Sequence, residues 1–146
     1  MIKNIVFDMG NVLVDYVGDK VCRVFTQDEQ LAKEVATAVF VSPEWILLDM
    51  GVISEEEGLR KMRSRLDTEE KRQLADQCFW HWHEYNMTAK PGMEKVVREL
   101  KNSGYGIYLC SNASVRLLSC YKNIIPAIEC FDGILFSADV KCLKPL

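Results

Sequence analysis

At 146 residues, with 49% hydrophobic and 27% charged side chains, the chain can build one core, or a core with a small insertion. That balance excludes a disordered or membrane-embedded chain, and a net charge of −3 with no basic cluster gives no electrostatic case for nucleic acid. No apolar run approaches the roughly 20 residues of a membrane span, and the start MIKNIVFDMG lacks an apolar signal core and cleavage site, which predicts a cytoplasmic protein.

Residues 3–8 (KNIVFD) form a short apolar run ending in Asp8, which predicts a buried strand entering a loop at Gly10 and Asn11. From 16 to 88 the pattern becomes helical. QLAKEVATAVF, EEEGLRKMRSRL and EEKRQLADQCFWHWHEY carry apolar residues at helical spacing, Ser54 with Glu57 makes a capping box, and Thr68 precedes three helix formers. Four or so helices and no strand are expected in this block.

At Lys90-Pro91-Gly92 the pattern resets. MEKVVRELKNSG places Met93, Val96, Val97 and Leu100 on one helical face, with Gly104 as C-cap. GIYLCSN then reads as a second buried strand, a short helix is expected from about Ser114 to Tyr121, and GILFSADV reads as a third strand leading to Lys141 and Lys144. Alternating strands and helices, each strand apolar on both faces, predict an α/β fold with a parallel sheet. Cysteines at 22, 78, 110, 120, 130 and 142 form no C-x-x-C pair or metal-site spacing, so reduced thiols are expected.

In open α/β sheets ligands bind at the carboxyl ends of the strands. There the sequence places Asp8, then Ser111-Asn112, then Lys144. A carboxylate nucleophile, a hydroxyl and a cation at one edge suit a phosphate group, which Asp8 could attack to form an aspartyl-phosphate. The bland alternatives are a solvated strand-end carboxylate, loop and capping roles for Ser111-Asn112, and a surface lysine, with Lys141 competing for the role of Lys144.

This set resembles the haloacid dehalogenase-like hydrolase superfamily. IVFDMGNVLVD matches its first motif, IYLCSN its second and Lys144-Pro145 its third. The resemblance implies a Rossmann-like core (1–15 and 89–146) with an inserted all-helical cap (16–88) of the C1 type. It implies Asp8 as nucleophile and Mg²⁺ ligand, the Gly10 carbonyl as second ligand, Ser111 and Asn112 around the phosphate, and Lys144 as the orienting cation. A magnesium-dependent phosphatase of a small phosphorylated metabolite follows, similar to glucose-1-phosphatase-like members, which share the D-x-G-N-V form. The sequence carries no readable code for the substrate's identity or for oligomeric state.

Two departures stand out. Gly10 occupies the position where family phosphatases commonly carry a second Asp as general acid/base, a group worth about 10²–10⁴ in rate. Asp15 is the nearest replacement. The family's fourth motif, acidic residues that complete the metal site, has no counterpart, which implies a C-terminally incomplete core with weak metal binding and reduced activity. The alternatives are a 2-haloacid dehalogenase and a non-catalytic binding protein on the same fold. Trp80-His81-Trp82-His83-Glu84 invites a metal reading, but helical residues two apart do not share a face, so an aromatic packing helix is expected.

Overall fold

The computed structural model describes residues 1–145. In chain order it contains β1 (Asn4–Phe7), β2 (Val14–Tyr16), α1 (Lys20–Phe25), α2 (Glu29–Phe40), α3 (Pro43–Asp49), α4 (Glu55–Ser64) and α5 (Glu69–Tyr85). Then follow β3 (Met87–Ala89), α6 (Met93–Asn102), β4 (Gly106–Ser111), α7 (Leu117–Cys120), β5 (Gly133–Phe136) and α8 (Ser137–Val140).

The strands β1, β4 and β5 form a parallel sheet with β4 central, as expected of an α/β core. Phe7 lies opposite Leu109, and Ser111 opposite Phe136, so all three strands end along one edge. Ile107 and Leu109 are buried in one cluster with Val97 of α6. The opposite face differs from expectation: Val6 is 61% exposed, and Tyr108 and Leu135 are also open to solvent. Val96 on α6 is likewise exposed rather than part of the packed face. The third strand is shorter than GILFSADV suggests, because Ser137 turns the chain into α8. The helix expected over 114–121 is reduced to α7 followed by a 3-10 turn.

All five helices α1–α5 lie between β2 and β3. Asp28, Ser42, Ser54 and Thr68 cap α2 to α5 by accepting backbone N–H bonds in the first turn. Val35, Val39, Met62, Phe79 and Trp82 fill the core of the block. Sequence periodicity did not reveal β2 and β3, which pair antiparallel across more than seventy positions at the entry and exit of the block. Buried Asn86 fastens this junction, accepting from the Val21 N–H and donating to the Gly18 carbonyl. Cys22, Cys78, Cys110, Cys120 and Cys130 are free thiols. Among the described residues no helix is long and apolar enough to cross a membrane.

Candidate active site

Parallel pairing sets the site. Because β1 and β4 run side by side in fixed register, Asp8 and Ser111 leave the sheet at the same edge. The Asp8 carboxylate accepts a hydrogen bond from its neighbour's N–H at Met9 (2.7 Å) and lies 3.0 Å from the Lys144 ammonium. Burial pushes the Asp8 carboxyl up, but hydrogen bonds from Lys144, the Met9 N–H and the Ser111 hydroxyl outweigh it and hold Asp8 below the usual aspartate value. Asp8 is therefore ionised at neutral pH, the form a nucleophile requires.

Lys144 is held from three sides. Its ammonium donates to the Cys110 carbonyl (2.7 Å), its N–H donates to the Asn112 side-chain oxygen (2.8 Å), and its carbonyl accepts from the Asn112 amide (3.1 Å). The Asn112 side chain thus ties the loop after β4 to the segment after α8. Asp8, Ser111, Asn112 and Lys144 come together as one cluster. Lys141 ends α8 in the left-handed conformation.

After β1 the chain winds tightly, with the Met9 carbonyl accepting from the N–H groups of Val12, Leu13 and Val14. Asn11 takes a positive φ of 58° in this loop. Among the described residues the Gly10 carbonyl accepts no hydrogen bond. A Cβ at Gly10 would meet nothing within 4 Å, so the glycine is not sterically required. Asp15, the nearest candidate replacement in the sequence, is instead committed to Lys90 at 3.0 Å.

Beside Gly10 and Asn112 lies a cavity of about 180 Å³, walled across from them by Tyr16, Trp45, Trp82 and Asp49. Trp45 and Trp82 pack edge to face at 5.1 Å. Asp49, the last residue of α3, was not singled out by sequence reasoning. Burial pushes its carboxyl up to about 7. Tyr16 is pushed up to about 12 by burial, with the negative field of Asp49 next. One signal was available: a carboxylate at a helix C-terminus opposes the macrodipole, so Asp49 is misplaced as an ordinary surface residue.

The WHWHE stretch packs as expected. His81 pairs with Glu84 at 3.0 Å, Trp82 is buried, and the Arg116 guanidinium stacks over Trp80 at 5.0 Å while forming a two-point bond to Glu55 of α4. No group of three or more His, Cys, Asp or Glu among the described residues is arranged to hold a metal. The available oxygen donors beside the nucleophile are the Asp8 carboxylate and the unpaired Gly10 carbonyl. These hard oxygens fit part of a magnesium shell, an ion that commonly keeps waters and takes phosphate oxygens as further ligands.

A family model described as haloacid dehalogenase-like hydrolase matches residues 2–146. No curated protein sequence matches significantly. Among solved structures, a HAD family enzyme from Bacteroides thetaiotaomicron in complex with magnesium and inorganic phosphate is 17% identical with a TM-score of 0.64, over 99% of this chain and 73% of its own. A predicted HAD-like family hydrolase from Porphyromonas gingivalis is 20% identical with a TM-score of 0.66, over 100% and 71%. The L-2-haloacid dehalogenase from Xanthobacter autotrophicus, with chloropropionic acid covalently bound, is 16% identical with a TM-score of 0.60, over 99% and 60%. At these identities the likeness is one of fold.

Proposed function

The chain belongs to the haloacid dehalogenase-like hydrolases, and from that membership we propose that it is a magnesium-dependent phosphatase of a small phosphorylated metabolite. The observation that carries this reading is the Asp8 carboxylate held 3.0 Å from the Lys144 ammonium, at the strand edge it shares with Ser111. Asp8 attacks phosphorus, the bond to the leaving oxygen breaks, and an aspartyl-phosphate forms. Water then attacks phosphorus and releases the Asp8 carboxylate and inorganic phosphate.

Lys144 offsets negative charge on the carboxylate and on the transferring group, and Ser111 and Asn112 orient the phosphoryl oxygens. The Asp8 carboxylate and the Gly10 carbonyl would hold magnesium, which would supply further charge neutralisation. The magnesium and phosphate in the Bacteroides enzyme support this choice. The helices of 16–88 serve as a cap that excludes water from the cavity.

Asp8→Asn tests the reading. The variant should lose phosphate release under magnesium by at least about 10³-fold, as expected for deletion of a nucleophile. Activity retained within tenfold would overturn the mechanism. A dehalogenase is the second reading, favoured by the absence of an acid at Gly10, since attack on carbon with halide departure needs no proton. Release of halide from a 2-haloacid in the presence of a chelator would select it.

A further inference from the structure

The proposed reaction has an unmet requirement: an alkoxide leaving group must collect a proton, and position 10 has no side chain to give one. Three carboxylates are near enough in the fold to consider. Asp8 is the nucleophile. Asp15 is engaged by the Lys90 ammonium. Asp49 is different, for burial alone acts on its carboxyl and no hydrogen bond or ion pair engages it among the described residues. It lines the same cavity as Gly10 and Asn112.

Asp49 is also placed there firmly. Its own carbonyl accepts the Ser137 hydroxyl, and that hydroxyl oxygen accepts the Ala113 N–H at 2.9 Å. One side chain therefore joins the end of α3 to the loop that follows β4, two residues beyond Ser111. Just after Asp49 the helix closes in a Schellman motif, with Gly51 N–H bonded to the Leu48 carbonyl and Val52 N–H to the Leu47 carbonyl. Gly51 there approaches the Ala138 backbone so closely that a Cβ would collide with it.

Resting on the phosphatase reading above, we propose that Asp49 is a catalytic residue, the general acid that protonates the leaving oxygen in place of the side chain absent at Gly10. In the first step Asp8 forms the bond to phosphorus, the ester P–O bond breaks with its electron pair on the leaving oxygen, and the Asp49 carboxyl gives that oxygen its proton. In the second, the Asp49 carboxylate takes a proton from the attacking water while the Asp8–phosphorus bond breaks. The products are an alcohol and inorganic phosphate, and Asp49 is again protonated. Burial keeps the acid form of Asp49 present near neutral pH. Tyr16 from β2 is its titratable neighbour, and it stays neutral there because burial raises it too. Trp45 and Trp82 supply aromatic walls beside the pair.

The test uses the full chain with magnesium and a series of substituted phenyl phosphates, from p-nitrophenyl, whose leaving group needs no proton, to unsubstituted phenyl. Asp49→Asn should lower kcat/KM, which reports the Asp8 phosphorylation step, by about 10²-fold or more on phenyl phosphate and leave kcat/KM on p-nitrophenyl phosphate within about threefold, while kcat falls on both esters through the lost general base. The fall in the wild-type phenyl phosphate rate above about pH 7 should vanish in the variant. Gly10→Asp added to Asp49→Asn should recover at least about tenfold on phenyl phosphate, because the open space at Gly10 admits the side chain. Equal losses in kcat/KM on both esters would mark Asp49 as structural and overturn the inference while leaving the phosphatase reading intact. If the wild type turns over neither ester, the phosphatase reading itself falls.

Discussion

At the scale of the residue, the centre of the site is a contest over one carboxyl group. Burial works against ionised Asp8, and three hydrogen bonds, led by Lys144, reverse the outcome. Lys144→Met removes the strongest of the three. The Asp8 pKa should then rise, so a larger share of the carboxyl is protonated and inert at mildly acidic pH. The acid limb of the pH–rate profile should move to higher pH, and kcat should drop by about 10²-fold or more at its plateau through lost charge neutralisation. A profile measured from pH 4 to 8 checks both, and an unmoved acid limb would show that Lys144 does not govern Asp8. Asp8 and Ser111 were legible in the sequence because each stands at or just past the end of an apolar strand, a local pattern, whereas Lys144 was picked out over Lys141 only through the Lys-Pro step of the family resemblance. Asp49 was not, because its burial depends on tryptophans contributed by two helices that only the folded chain brings together.

At the scale of the element, the C-terminal turn of α3 does more than end a helix. Gly51 has φ +67° and lies against the Ala138 backbone. Replacing it with alanine should cost about 1–3 kcal/mol from the left-handed conformation alone, with the collision added. Urea unfolding of Gly51→Ala should show this loss, and an unchanged midpoint would mean that the α3–α8 contact is not made. The helices α4 and α5 could be read from their caps, since Ser54 and Thr68 act within their own first turns. The strands β2 and β3 could not, for each is three residues long and each owes its extended form to the other. The helical end of GILFSADV was hidden for a similar reason: Ser137 bonds to groups remote in sequence, Asp49 and Ala113.

At the scale of the whole molecule, the buried acid links stability to pH. The Asp49 carboxyl lies at about 7 in the folded chain and near its ordinary value of 3.8 when unfolded. Between those values the native state binds the proton and the unfolded state does not, so the contribution of Asp49 to stability falls as pH rises through that window. Relative to Asp49→Asn, the wild type should lose a few kcal/mol between about pH 4 and 7, at about 1.4 kcal/mol per pH unit, and no more above. Parallel urea titrations of the two proteins at pH 5 and pH 8 measure the difference, and identical pH trends would refute it. The same residue thus lowers stability at the pH where its acid form is useful, a common relation between active sites and the folds that hold them.

The clasp between Asn112 and the Lys144 backbone amounts to a piece of β-ladder made by a side chain. Its carbonyl and amide stand in for the donor and acceptor of a missing strand partner. Only an amide offers both in that arrangement. Should Asn112 hydrolyse to aspartate as the protein ages, the Lys144 carbonyl would lose its donor and face a new negative charge, and Lys144 would gain a second carboxylate to choose from. The working life of the site is therefore tied to the chemical durability of one side-chain amide.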